Sequence, residues 1–209
     1  MTTFTKLSYE RPDLDALNSR LSDYSAELQQ ASTLEEANEL IRQINKERND
    51  FETQSQLVAI RHSVDTRDSF YEEEQAFFDD ALPVYEKEIQ AYYRVLTNHE
   101  LRTELEAEWG SQLFSLAERA LETFEESLIP KLQEENRLAT AYQKVMSAAQ
   151  IEFDGKTLNL SQFGPYLQSP DRDVRKAASV ARYTYLSDNG DELDRIYGEL
   201  VRVRTEIAH

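Results

Sequence analysis

The sequence predicts an all-α protein, about seven mainly antiparallel helices with one short β-hairpin near residues 150–160. Three observations carry this. Apolar residues recur at spacings of three and four through most of the 209 residues. Gly and Pro number only 5 each, which suits long helices and few tight turns. One stretch alone changes period: Ile151 and Phe153 alternate with polar neighbours, Asp154-Gly155 follows, and Leu158 and Leu160 alternate again. Asp-Gly between alternating runs is a hairpin signal, because both central turn residues need positive φ.

Residues Met1 to Arg11 read as an extended arm ending at Pro12. Leu14, Leu17, Leu21, Tyr24, Leu28 and Ala31 then form a helical stripe. Thr33 with Glu36 has the spacing of a capping box, and Ala37, Ile41, Ile44, Phe51 and Val58 continue as a second stripe. The short joint predicts an antiparallel helix pair. Thr66 and Asp68 open a third helix, with Phe70, Phe77, Phe78, Leu82, Tyr85, Ile89, Tyr92, Tyr93 and Leu96 on its apolar face. The stripe keeps its phase across Pro83, which predicts a kink and not an end, and Asn98 closes the helix.

His99 to Gly110 reads as a short helical piece with Trp109 beside a bend at Gly110. Leu113, Leu116, Ala117, Ala120, Leu121 and Phe124 predict a fourth main helix. Leu128, Leu132, Leu138, Ala141, Tyr142, Val145 and Met146 predict a fifth, with Pro130 near its start or at a kink. After the hairpin, Ser169 is the expected cap and Pro170 the first residue of a sixth helix carrying Val174, Ala177, Ala178, Ala181 and Tyr185. Ser187 to Gly190 reads as a turn, and Leu193, Ile196, Tyr197, Leu200, Val201, Val203 and Ile207 as a seventh helix. That stripe is still in phase at Ile207 with no stop signal, so the expectation is a fragment of something longer.

Composition narrows the function. Hydrophobic residues make up 40% of the chain and aromatics 10%, enough for a packed core. A formal net charge of −17 disfavours nucleic acid, whose phosphates need clustered Lys and Arg, and disfavours anionic membrane surfaces. The absence of cysteine removes disulfide, zinc-thiolate and redox-thiol chemistry. The first residues lack the basic start and apolar run of a secretory leader. No run approaches the roughly 18 apolar residues of a membrane span. These features predict a soluble, cytoplasmic protein.

No catalytic, cofactor-binding or metal-binding residue is assigned from the sequence. His99-Glu100 begins an HExxH-like string, but position 103 is Thr, which cannot supply the second imidazole. Glu206 and His209 form a single ExxH; a di-iron bundle needs two, plus further glutamates. Glu72-Glu73-Glu74 and Asp79-Asp80 point in diverging directions on a helix and read as a solvated face. The string from Phe153 to Leu158 has Gly and Lys without phosphate-loop spacing. Tyr92-Tyr93 read as core, with a peptide cleft as the alternative. Arg172, Arg175, Lys176, Arg182, Arg202 and Arg204 make the last part of the chain more basic, and Asp171 and Asp173 are expected to offset Arg172 and Arg175 at a helix start.

Gln150 to Gly155 with Leu158, Pro165 to Arg172, and Val174 to Ala178 together resemble segments of the oligoendopeptidase F family of zinc metallopeptidases, related to thimet oligopeptidase. Phe70-Tyr71, Phe77-Phe78-Asp79 with Pro83, and Tyr197 to Val201 with Arg204 are also similar to that family. The resemblance implies a mostly helical body enclosing a channel that admits short peptides. It implies a zinc held by an HExxH helix and a later glutamate, all beyond the matching segments. This chain would then be the non-catalytic N-terminal portion, one wall of the channel, binding no zinc itself and inactive alone. Its partners would be short peptide substrates and the missing C-terminal catalytic part. The expected division is 1–149 as an N-terminal helical region, 150–169 as hairpin and loop, and 170–209 as a helix pair leading toward the catalytic part. The alternative is a free-standing acidic interaction module that docks a partner helix on the Leu14-to-Val58 hairpin.

Overall fold

The structure, a computed structural model, describes residues 6–209. Of the arm expected over 1–11, residues 1–5 lie outside the described residues, and Leu7–Asp13 has neither helix nor strand. Nine α-helices follow: α1 (Leu14–Gln30), α2 (Leu34–Val64), α3 (Ser69–Thr97), α4 (Arg102–Trp109), α5 (Ser111–Thr123), α6 (Ile129–Ser147), α7 (Gly164–Leu167), α8 (Arg172–Asp188) and α9 (Gly190–Ala208). The strands β1 (Ile151–Phe153) and β2 (Lys156–Leu158) pair antiparallel. The seven long helices correspond to the seven expected, α4 is the short piece after His99, and α7 is one extra turn.

Two compact units are present. The first comprises the described part of Met1–Arg61 with Glu73–Gln133. Its start signals are side chains that satisfy orphan helix amides. Asp13 accepts from the Ala16 amide at 3.0 Å. Glu36 and Thr33 close the capping box, with the Thr33 amide donating to Glu36 and the Glu36 amide to Thr33 Oγ1. Leu17, Leu21 and Leu28 of α1 are buried, as are Ile41, Ile44, Phe51 and Val58 of α2. Each such burial stabilises by about 2 kcal/mol. Arg20 pairs with Glu47 at 2.7 Å across these two helices. Phe51 then packs on Tyr85 and Phe78 of α3, with ring centroids 4.4 and 5.6 Å apart. α3 continues across Pro83 and ends at Thr97, where Asn98 Nδ2 donates to the Arg94 carbonyl. Gly110, at φ 86°, caps α4 and starts α5, so the bend falls where expected. Trp109 Nε1 donates to Asn38 Oδ1 at 2.7 Å. Phe124, expected within the helix, is extended and ends it.

The second unit comprises His62–Glu72 and Glu134–His209. It includes the α2–α3 connection, where the Asp68 carboxylate accepts from the Phe70 and Tyr71 amides. Asp154 (φ 52°) and Gly155 (φ 68°) make the two-residue turn of the hairpin. The register places Ile151 opposite Leu158 and Phe153 opposite Lys156. Leu158, Phe163 and Ala178 form a small core with Ile151, Phe153, Tyr166, Leu167 and Ala181 packed against it. Asn159 and Gln162 bracket the next turn through a reciprocal capping box. Tyr185 of α8 donates to the Val145 carbonyl of α6 at 2.5 Å. Arg202 and Arg204 of α9 pair with Glu134 and Glu135 of α6 at 2.5 and 2.7 Å.

Boundaries in the second unit also differ from expectation. α8 starts at Arg172, with Asp171 as the cap accepting from the Asp173 amide at 2.8 Å. Ser169 instead accepts from the Asp171 amide at 3.2 Å, and Pro170 lies outside the helix. A carboxylate at the positive end of the helix dipole outcompetes a hydroxyl two residues earlier. The turn expected over Ser187–Gly190 shrinks to Asn189 alone, which donates to the Tyr185 carbonyl through both its amide and Nδ2. α9 consequently begins at Gly190, three residues before Leu193, with Asp191 and Glu192 in its first turn.

Candidate functional site

The second unit holds an open cavity of about 710 Å³, lined by residues 63–67 at the end of α2 and in the α2–α3 connection, 146–150 at and after the end of α6, 157–162 of β2 and its exit, and Arg182 of α8. Local turn chemistry shapes it. The hairpin returns the chain beside the end of α6, and the capping box of Asn159 and Gln162 fixes the exit loop, each side-chain oxygen accepting the other residue's amide at 3.0 and 2.8 Å. The charged side chains in the lining are Asp65, Arg67 and Arg182. Asp65 accepts from Arg67 Nε at 3.1 Å and from the Arg67 amide, which together hold its carboxyl below the usual carboxylate range. Among the described residues Arg182 has no carboxylate partner; its guanidinium lies 5.9 Å from the centre of the Tyr183 ring, and Nε is buried without a hydrogen bond. Thr66 is buried at the wall. The site can take up hydrogen-bonding and anionic groups; it offers no nucleophile with a base.

The first unit holds a second polar cluster, inside its packing. Arg48 of α2 donates to Tyr93 Oη at 3.3 Å and lies 3.7 Å from Glu52. Tyr85 donates to Glu52 at 3.0 Å. Burial pushes the Tyr85 and Tyr92 phenols far above their ordinary value, with Glu52 adding to it at Tyr85. Burial also raises the Glu86 carboxyl, against the opposing hydrogen bond from Gln90 at 3.0 Å. Arg48 Nε, Gln90 Oε1 and Tyr92 Oη are buried without partners. Tyr85, Tyr92 and Gln90 are buried in the packing of the first unit, so the cluster reads as part of the core.

The residues weighed from the sequence are not brought together. His99 is a buried structural group. Its Nδ1 accepts from the Leu101 amide at 3.0 Å, which makes Nε2 the donor to the Leu28 carbonyl at 2.8 Å. Glu206 pairs with Arg202 at 2.9 Å. The acidic runs are not uniformly solvated, contrary to expectation. Glu74 and Asp79 are each 4% exposed, because every third or fourth residue of α3 turns inward and polar partners meet them there. Glu74 accepts from both Arg11 and Tyr9, Asp79 from Gln75 at 2.9 Å, and Glu72 pairs with Lys144. Tyr92 is fully buried, in accord with the core reading, and Tyr93 is half-buried under Arg48. Arg175 donates to the Ser169 and Pro170 carbonyls at 2.7 and 2.9 Å, so carbonyls and not Asp171 or Asp173 accept from it. Among the described residues, no three His, Asp or Glu side chains come together in a group able to hold a metal ion. The stripes of the Leu14-to-Val58 hairpin are buried in the chain's own core, so they present no docking surface for a partner helix. The polar cavity was missed from the sequence; its one local signal was the Asn159-to-Gln162 cap spacing.

The Peptidase M3 N-terminal domain profile matches residues 4–124. A solved protein from Bacillus anthracis strain Ames, assigned as an oligoendopeptidase F, is 44% identical with a TM-score of 0.97, covering 100% of this chain and 38% of that one. PZ peptidase A, solved with an inhibitor, is 43% identical with a TM-score of 0.95, covering 99% of this chain and 37% of that one. A further structure assigned as an oligoendopeptidase F is 40% identical with a TM-score of 0.96, covering 100% and 37%. The chain thus spans well under half the length of the solved proteins it matches. No curated protein matches it.

Proposed function

Because the chain belongs to the peptidase M3 family, matching its N-terminal domain, we propose that it is the non-catalytic helical portion of a zinc-dependent oligoendopeptidase that hydrolyses short peptides. In this reading it forms part of the wall of the substrate channel. The observation that carries it is the 44% identity along 100% of the chain to a protein of which this chain represents 38%. Zinc and the residues that activate water on it belong to the remaining, C-terminal catalytic part; the side chains described here do not fit a metal. No residue of this chain is assigned to catalysis. The proposed division is 1–149, 150–169 and 170–209, with the last helix pair leading toward the catalytic part.

Exposed apolar side chains on α8 and α9 support this. Val180, Tyr183, Tyr197 and Val201 are 58%, 62%, 61% and 48% exposed. Such residues are costly to leave in water and fit a surface that packs against further chain. A cytoplasmic location is proposed from the absence of cysteine; no described helix is long and apolar enough to cross a membrane.

The test uses an internally quenched short peptide. The 209-residue chain with added zinc is expected to leave it intact, while the protein encoded through the downstream reading frame cleaves it and loses activity to a chelator. Cleavage by the 209-residue chain alone, or a downstream frame without an HExxH, would overturn the reading.

A further inference from the structure

We infer that the cavity of the second unit binds the C-terminal end of a short peptide, with the peptide's α-carboxylate on Arg182. The choice of a peptide rests on the oligopeptidase reading above; the choice of a carboxylate rests on the cavity itself.

The electrostatics are the starting point. The protein carries a formal net charge of −17, yet the three charged side chains lining this cavity sum to +1, because the one acid, Asp65, is already paired with Arg67. Arg182 is left as the uncompensated charge. Its Nε is shielded from water and makes no hydrogen bond. The part of the guanidinium that faces the cavity has no carboxylate beside it among the described residues, and a planar carboxylate matches it in the geometry arginine favours.

The rest of the lining selects what the carboxylate is attached to. A lone carboxylate would leave most of about 710 Å³ unfilled. Around it stand Gln150, Asn159, Gln162, Ser147 and Ser161, neutral donors and acceptors suited to amide groups. The capping box commits the side-chain oxygens of Asn159 and Gln162 to backbone amides, which leaves their NH₂ groups to donate to a ligand carbonyl. β2 adds an edge. Phe153 and Lys156 flank the two-residue turn as the hydrogen-bonded pair, so Thr157, one residue on, turns its backbone N–H and C=O away from β1. Among the described residues β2 has no other strand beside it, and Thr157 lines the cavity. An extended peptide can therefore pair with Thr157 while its terminus reaches Arg182.

The experiment is calorimetric titration of the 209-residue chain, without zinc and at low salt, with trialanine, trialanine C-terminal amide and acetate. Trialanine is expected to bind, the amide about tenfold more weakly or worse, and acetate weaker than trialanine. Arg182→Gln is expected to reduce trialanine affinity about tenfold while leaving the amide's affinity unchanged. Equal binding of trialanine and its amide, or no binding of either, overturns the inference. So does acetate matching trialanine, which would mark a simple anion site. If the Arg182 variant does not fold, the acid-against-amide comparison on the unaltered chain still decides. No hydrolysis is read in this assay. A downstream protein that cleaves peptides while this chain binds none would refute the cavity assignment alone, and the converse would refute the peptidase reading alone.

Discussion

Substitution of Glu74 by Gln tests whether a buried carboxylate clamps the N-terminal arm. Glu74 is 4% exposed and accepts from Arg11 Nε at 2.9 Å, Arg11 Nη2 at 2.7 Å and the Tyr9 hydroxyl. Three charge-assisted bonds would sum to several kcal/mol, but the Arg11 side chain is 49% exposed and returns to water when released. The net loss for E74Q is therefore expected at about 2–3 kcal/mol, a midpoint drop of about 5–10 °C. Arg11→Met strands the buried carboxylate and is expected to cost about 3 kcal/mol. In the double variant the two losses overlap, giving a coupling energy of about 2 kcal/mol. Trp109, the only tryptophan, lies in the same unit, so its fluorescence in urea is the readout. The bond from Arg11 holds the Glu74 carboxyl below its usual range. A depressed folded-state pKa adds stability above the unfolded value, and that stability is lost as pH falls through the folded value. The unaltered chain should thus lose stability steeply below about pH 4, and E74Q less so. A coupling energy under about 0.5 kcal/mol, or identical acid limbs, would refute the clamp.

Other perturbations have equally definite outcomes. His99→Ala strands the Leu28 carbonyl and the Leu101 amide, and is expected to lower urea stability by about 2–4 kcal/mol. Gly155→Ala meets no atom within 4 Å but must hold φ 68°; a loss of about 1 kcal/mol by thermal melting would reflect backbone strain alone. Tyr85 and Tyr92 have phenols raised by burial, so the stability they contribute is present below about pH 10 and fades as pH rises through their folded values. Ultraviolet difference titration should show them ionising after the exposed tyrosines. Burial raises the Glu86 carboxyl, so its charged form carries a desolvation cost. Glu86→Gln should stabilise by about 0.5 kcal/mol, read as a raised urea midpoint at pH 8.

What the sequence revealed follows from how far each signal reaches. The capping box of Thr33 and Glu36, the start at Asp68, the bend at Gly110 and the Asp154-Gly155 turn were all readable, because each is settled within four residues. The stripes of α1 and α2 were readable because a repeated spacing names one buried face. The inward turn of Glu74 was not, since its partners Tyr9 and Arg11 are more than sixty residues away. The same limit hid the cavity. Its walls come from three separate stretches and one residue of α8, and nothing local to Arg182 says that it lacks an acid. Ser169 and Asp171, two residues apart, are both good caps, and pattern alone does not decide between them.

Asn189 closes α8 and precedes α9, with no free residue on either side. The helical phase of the second is therefore geared to the first. Inserting a single residue here would turn α9 by about 100° about its axis. Ile196, Leu200 and Val203 would leave the interior, and the charged residues one position earlier, Arg195, Glu199 and Arg202, would be carried toward it. A connection of this kind admits substitutions but not changes in length. Relatives that keep the partners of α9 are thus bound to keep the residue count between Asp188 and Gly190, whatever amino acid stands between them.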